Sequence, residues 1–416
     1  MKISTSVVFL SLTLSASAAP LTLGEALARV EAGHPWFRTR ESTVALARAR
    51  QDAAAARPSG AISLQLENAL GTGEFRAARG LETTLQFSRA LDWADRRAAR
   101  RETVGAHNEA ERLAWEETRR GLLAEAARRF IRVAGQQAAL AANREQAGLA
   151  GKTVDDLLAR GARTTPADLA RAKLLLTEAN LAAEHAEHEL LAARQNLASL
   201  WGADSADFDR AEADFLTLPP VEAYGQLAAR LSHSPAQVRQ AALIRWRLAQ
   251  EKLARATAAR GESRWAAGLR RHEAAGDFGF VFGLDYAWPA AALTGAAAVE
   301  ARAERERTAA EGEAALHELR AALYELCQEL NHARIEHDTA RDEMLPAARE
   351  WLAAVEAGSV AGRYSTRDLL EARTALFAAR QRQIHAAAAY HATVVEIELL
   401  LTAPGRRMAS ATHREP

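Results

Sequence analysis

Cysteine is all but absent from this chain. Cys327 is the only one in 416 residues, which excludes an intramolecular disulfide and any multi-cysteine metal site. An excess of one charge sign is missing too. The 53 basic and 53 acidic residues cancel, so no basic surplus exists to neutralise phosphates, and a nucleic-acid partner is excluded. After the first residues no run approaches the roughly 18 apolar residues that a spanning helix needs. A chain of this kind crosses a membrane only as a closed β-barrel. There is no Gly-rich phosphate loop, nucleophile motif or catalytic dyad, so the chain reads as no enzyme and implies no cofactor. What is abundant is Ala, Leu, Glu and Arg, the composition of long helices packed as coiled coils.

The chain is also written twice. At one unbroken offset Pro20 matches Pro220, Leu27 matches Leu227 and Pro35 matches Pro235. Asp168 matches Asp368, Leu169 matches Leu369, Leu176 matches Leu376 and Leu200 matches Leu400. A long internal repeat is a statement about architecture, and it predicts one helix–hairpin–helix–helix unit over residues 20–202 and a second over 221–402. A linker at 203–220 joins them, and a disordered tail covers 403–416. Residues 1–19 read as a secretory signal peptide, with Lys2, the apolar stretch Val7–Leu14 and the Ala16-Ser17-Ala18 cleavage site.

In the first unit, Thr22 with Glu25 three residues on forms a capping box for a helix over 21–56, which Pro35 breaks or kinks. Alternation of apolar and polar residues then predicts strands at about 61–70 and 81–88. A helix of about 65 residues follows, on the order of 100 Å long, with Gly105, Gly121, Gly135 and Gly148 as points that soften or interrupt it. After a turn at 161–166, Thr165 caps a helix whose Leu169, Ala172, Leu176, Ala179, Ala183, Ala186, Leu190 and Leu197 favour close antiparallel packing. The second unit repeats the order. A helix runs over 221–260, strands lie at about 263–271 and 278–288, and a long helix kinked at Pro346 covers 296–357. A final helix follows, capped by Ser365 or Thr366.

The hairpins carry the membrane signal. Phe278, Phe280, Phe282, Leu284, Tyr286 and Trp288 share one strand face, while Gly279, Val281, Gly283 and Asp285 share the other. An apolar and aromatic face ending in Tyr and Trp suits lipid with an interfacial girdle. Four strands close no barrel, whereas three copies supply twelve, so the count predicts a homotrimer. Its lumen would be lined by Ser63, Gln65, Glu67, Glu82, Thr84, Gln86, Arg270 and Asp285. Arg96, Arg97, Arg100 and Arg101 suit either the membrane boundary or a solvated helix face. His185 and His188 stand among Glu184, Glu187 and Glu189 with no further ligand, so they read as a solvated helix face and no metal site is assigned.

The doubled order of helix, hairpin, long helix, turn and helix resembles the TolC-like outer-membrane efflux channels over essentially the whole mature chain. The resemblance is carried by Leu21-Thr22-Leu23-Gly24-Glu25-Ala26-Leu27 with His34-Pro35, and by Gly362-Arg363-Tyr364-Ser365-Thr366-Arg367-Asp368-Leu369-Leu370-Glu371-Ala372. It implies a mainly α fold with two β-hairpins, trimerising into a 12-stranded β-barrel on an α-helical barrel. It also implies an outer-membrane location with a large periplasmic portion. The implied partners are outer-membrane lipid, a periplasmic adaptor (membrane fusion) protein and an inner-membrane pump of the RND type. Asp368 and Glu371 match two carboxylate positions that ring the periplasmic constriction in the family. Crowding of three chains there predicts raised carboxylate pKa values. Arg363 and Tyr364 lie near positions whose links hold such a gate shut. In the first unit Asp168 is present but Arg171 stands where the second acid would be. Overall length and compact hairpin loops resemble the heavy-metal cation branch, though the Asn-Gln-Gly that often follows the fourth strand there is missing; drug export stays open. The rival reading is a soluble periplasmic coiled-coil scaffold without a pore. It leaves the aromatic stripe of the fourth strand unexplained, because an exposed apolar strand is an aggregation liability.

Overall fold

The computed structural model describes residues 20–68, 70–161, 164–288, 291–360 and 363–402. The signal-peptide reading of 1–19 and the tail at 403–416 lie outside them. Nine α-helices and four strands follow one another among the described residues. The first half holds α1 (Leu23–Gly33), α2 (Thr39–Ala55), β1 (Gly60–Glu67), β2 (Glu82–Ala90), α3 (Ala94–Ala159) and α4 (Pro166–Ala198). The second holds α5 (Tyr224–Arg230), α6 (Pro235–Ala258), β3 (Glu262–His272), β4 (Asp277–Ala287), α7 (Ala291–Thr339), α8 (Leu345–Val360) and α9 (Thr366–Leu401).

Local chemistry explains most boundaries. The Thr22 hydroxyl accepts the Glu25 N–H and the Glu25 carboxylate accepts the Thr22 N–H, closing the capping box that starts α1. What the sequence suggested as one helix over 21–56 is two. α1 stops at Gly33, Pro35–Arg38 forms a 3-10 turn, and α2 resumes at Thr39. The same interruption falls at Leu231–His233, before Pro235 opens α6, because proline has no N–H to continue a helix but fits its first turn. The glycines of α3 do not interrupt it: all 66 residues are one helix, about 100 Å long. Packing against α4, α6 and α9 outweighs a propensity cost of about 1 kcal/mol per glycine. Ahead of Pro346 the chain forms a π turn, Ala340–Met344, which absorbs the N–H that proline lacks.

The first strand is shorter than the alternation suggested. It ends at Glu67, and Asn68 and Leu70 adopt positive φ, which a strand cannot continue. The four strands form one antiparallel sheet in the order β1-β2-β3-β4, so the two hairpins lie side by side.

The core sits where the halves meet. Val30, Phe130, Val133, Leu197, Phe208, Ile384 and Ala387 from α1, α3, α4, the 203–220 segment and α9 pack together. A second cluster unites Leu227, Leu323, Tyr390, Val394 and Leu401. Towards the far end the packing thins to pairs of helices. Ala172, Ala179, Ala186 and Ala193 are all buried on α4, and small residues at a seven-residue spacing allow α3 and α4 close approach. An 18-residue window of α9 reaches a mean hydropathy of 1.2, more apolar than the sequence reading allowed. Half of that window is buried inside the protein, the setting of a core helix.

Candidate functional site: a two-faced sheet and a capped helical tip

Backbone register decides which strand residues share a face. Phe282 faces Ala267, which faces Phe87, which faces Ile62; Phe280, Leu269, Leu85 and Leu64 form the next row. Leu284 continues through Trp265 to Arg89. The apolar stripe on β4 is therefore one edge of an apolar face that covers the whole sheet. That face is bare: Phe280 and Phe282 are each 79% exposed, Ile62 is 77% and Trp288, just past the strand, is 83%. Tyr286 and Trp288 stack edge to face at its helix end, 4.9 Å between centroids.

The opposite face is polar and its residues are tied together. Gln65, Thr84 and Arg270 stand in one row; Glu67, Glu82, His272 and Asp277 stand in the row nearest the hairpin loops. Arg270 ion-pairs with Glu82 at 3.0 Å and Glu67 at 3.1 Å, and donates to Thr84 Oγ1 at 3.0 Å. Nearer the helices Arg264 faces Asp285 across β3 and β4, and donates to Ser88 at 3.3 Å. Gln86 lies between these groups, opposite Ser63 and Gly268. The structure thus brings Ser63, Gln65, Glu67, Glu82, Thr84, Gln86, Arg270 and Asp285 onto one face. Both outer edges of the sheet, β1 and β4, have one strand neighbour each.

Length fits the apolar face to a bilayer. β4 has 11 residues, about 36 Å when extended. Tilted by about 45° it spans about 25 Å, the height of the apolar band of an outer-membrane barrel.

The arginines after β2 have local tasks. Arg96 donates to the Arg260 carbonyl at 2.7 Å, and Arg97 and Arg100 pair with Asp92 at 3.5 and 3.3 Å. They fasten the start of α3 to the sheet and to the end of α6. Arg101 is exposed.

At the far end, α9 begins with Ser365 as its cap. The Ser365 hydroxyl donates to Asp368 Oδ2 at 2.7 Å and the Ser365 N–H donates to the same oxygen at 2.8 Å. These two bonds hold the Asp368 carboxyl below the usual carboxylate range. Within one chain, hydrogen bonding to the charged form sets this direction; the crowding expected of three chains acts between subunits. Asp168 occupies the same place on α4, with the Thr165 hydroxyl donating to it at 2.7 Å. Glu371 pairs with Arg367 at 2.8 Å and holds that guanidinium above its usual value. Arg363 donates its backbone N–H to the Gly358 carbonyl at 2.9 Å, closing the end of α8. The Tyr364 ring lies against Gly358, where a β-carbon would stand 2.3 Å from it. So Arg363 and Tyr364 pack on the end of their own helix pair.

The link between helix pairs is made by residues the sequence did not single out. Arg373 of α9 donates to the Leu149 carbonyl at 2.5 Å and to the Thr153 hydroxyl, both on α3, and pairs with Glu356 of α8 at 3.1 Å. One heptad on, Arg380 pairs with Glu145 of α3. The side chain of Arg373 is only 13% exposed. These groups border a cleft of about 230 Å³ between α3, α4 and α9, with Leu175 and Phe377 on its apolar side. The heptad spacing of Arg373 and Arg380 was the available signal, but which helix they face is a tertiary matter. His188 lies 3.9 Å from Glu184 on exposed α4. Among the described residues no group of three or more His, Cys, Asp or Glu could hold a metal ion.

No protein-family model matches the sequence, and no curated protein matches it. Solved structures do. The outer-membrane channel OprN superposes with a TM-score of 0.74 at 16% identity, covering 91% of this chain and 89% of that one. The outer-membrane protein VceC of Vibrio cholerae superposes with 0.70 at 13%, covering 91% and 94%. The open state of the MtrE outer-membrane channel of Neisseria gonorrhoeae superposes with 0.73 at 15%, covering 96% and 94%. The fold of this chain, mainly helical with one small antiparallel sheet, is the fold of these outer-membrane channels over nearly their full length.

Proposed function

We propose that the chain is one subunit of a homotrimeric outer-membrane channel, the passive exit duct of a tripartite efflux system. The observation that carries this reading is the bare apolar face running across all four strands, backed by a polar face and bounded by two open edges. An exposed sheet edge is a template for another strand. If β4 of one copy pairs with β1 of the next, three copies give a closed 12-stranded barrel with the apolar face to lipid and the polar face inward. The helices then extend about 100 Å from the membrane, a tunnel across the periplasm. Leu174 and Leu181, exposed seven residues apart on α4, and Ile335 and Trp351 on α7 and α8 suit cover by neighbouring copies.

In this reading residues 1–19 direct export and are removed, 20–202 and 221–402 are the repeated halves, and 203–220 joins them. Phe278, Phe280, Phe282, Tyr286 and Trp288 face lipid. Gln65, Glu67, Gln86, Arg270 and Asp285 face the lumen. Asp368, Glu371 and Asp168 surround the periplasmic gate, with Arg363 and Tyr364 beside it. The protein is no enzyme. A periplasmic adaptor and an RND-type inner-membrane pump supply the cargo, small solutes such as metal cations or drugs, and the pump selects among them. Membrane fractionation followed by the mass of the detergent-purified protein tests this. A trimer in the outer-membrane fraction supports it; a soluble, detergent-independent monomer replaces it with the scaffold reading.

A further inference from the structure

Charge on the polar face of the sheet is unevenly placed. In the row nearest the hairpin loops, Glu67, Glu82, His272 and Asp277 stand opposite one another across all four strands. Arg270, one row in, is held between Glu67 and Glu82 at 3.1 and 3.0 Å, and His272 Nδ1 lies 3.5 Å from Glu82. Three carboxylates thus stand at this level, two of them paired with the one guanidinium. The two middle rows, Ser63 with Gln86, Gly268 and Val281, and Ala61 with Ser88, Ala266 and Gly283, hold no charge. At the helix end Arg264 and Asp285 face each other and cancel, and Glu262 stands in the last row opposite Ala287. Arg271 belongs to the apolar face, lying over the Phe278 ring and paired with Glu273 at 2.9 Å. The loop beyond β1 adds Arg76 and Arg79.

We infer that this row, with Arg270 as its built-in counter-charge, is a charge-selectivity determinant of the duct at its outer mouth. The inference rests on the channel reading above. Three copies would place nine carboxylates and three guanidiniums around one level of the lumen, a fixed excess of negative charge. Rings of Asp and Glu raise the local concentration of cations and lower that of anions. The field decays over about 10 Å at moderate salt, so the uncharged middle rows do not offset it. Arg270 does two things. It screens Glu67 and Glu82, and it fixes their side chains so that the counter-charge lies beside them.

The test is the reversal potential of the full-length trimer in planar bilayers under a KCl gradient. Wild type should prefer K⁺ over Cl⁻. Glu82→Gln and Asp277→Asn should each move the reversal potential toward zero, and Glu67→Gln with Glu82→Gln further still. Arg270→Gln should move it the other way, toward stronger K⁺ preference. Far-UV circular dichroism and trimer mass keep misfolded variants out of the comparison. Because Arg270→Gln and Glu82→Gln remove partners of the same ion pair, mere loosening of the pair would shift both in one direction, and opposite shifts separate charge from structure. Conducting variants with an unchanged reversal potential overturn the inference and leave the channel reading standing. The same holds if only Arg76→Gln with Arg79→Gln changes selectivity. Trimers that never conduct overturn the channel reading, and the inference with it.

Discussion

Ser365 and Asp368 close a reciprocal cap at the start of α9: the hydroxyl donates to the carboxylate at 2.7 Å, and the Asp368 N–H donates back to the hydroxyl oxygen at 3.3 Å. A carboxylate held this way stays ionised, and its negative charge sits at the positive end of the helix dipole. The pair therefore fixes where the charge stands as well as where the helix begins. Ser365→Ala should release the carboxylate and move its titration up toward the ordinary Asp range, read by carbon-detected NMR titration. Because the folded value is depressed, the cap's contribution is present above the ordinary Asp pKa and is lost as pH falls through the lowered folded value. If Asp368 and Glu371 ring the gate, Asp368→Ala with Glu371→Ala raises conductance or antibiotic leak; unchanged conductance removes them from the gate.

Arg373 spans α3, α8 and α9. Arg373→Ala leaves the buried Thr153 hydroxyl and the Glu356 carboxylate without this donor, a loss of about 1–3 kcal/mol. Hydrogen exchange should show faster opening around residues 149–157 and 369–377, with the sheet unaffected. Arg373→Lys should recover little, since one ammonium cannot reach three acceptors in fork geometry. Equal protection in all three proteins would make the link dispensable.

The lipid-facing reading of the sheet has its own signature. Phe280→Arg and Phe282→Arg should each cost about 2–4 kcal/mol of barrel stability if these side chains sit near the bilayer midplane. Recovery in the outer-membrane fraction should fall accordingly. Ser63→Arg, on the opposite face of the same sheet, should be tolerated. Equal loss from both faces would deny the sheet a lipid side.

His391 is a source of acid sensitivity away from the sheet. Burial pushes its imidazole below the usual value, against the Phe215 carbonyl, which accepts its Nε2–H at 2.9 Å. A depressed folded value means the unfolded chain binds the proton more readily. This contribution is therefore full above the unfolded pKa of about 6.5 and is lost as pH falls through the folded value. His391→Gln should flatten the acid side of the stability profile below about pH 6.5, measured by urea unfolding in detergent. An unchanged slope would assign the acid sensitivity to other groups.

Much of this was legible in the residues. Thr22 with Glu25 and Thr165 before Asp168 carry their caps in local spacing, and the structure forms each; of the candidates Ser365 and Thr366 for the last helix it uses Ser365. The alternation of Phe278, Phe280 and Phe282 fixes a strand with one apolar face. The ends of that alternation misled at β1, where Asn68 and Leu70 turn left-handed after Glu67. The glycines of α3 also misled, because a propensity cost of about 1 kcal/mol is small beside packing against three other helices. At Asp368 the bonds from Ser365 lie within three residues of it, whereas crowding by other copies is a matter of assembly.

Sequence by itself determined the periodicities: where helix gives way to strand, where Pro35, Pro235 and Pro346 interrupt, and which strand residues alternate. These depend on neighbours a few residues away, and local sterics and hydrogen bonding decide them. Tertiary structure alone decided that the two hairpins join edge to edge, turning separate stripes into one apolar face. It also placed Arg270 between Glu67 and Glu82, and set Arg373 against Thr153, some 220 residues away. Such pairings depend on how long helices and strands are brought together, and no local pattern encodes which distant partner a charged side chain will meet.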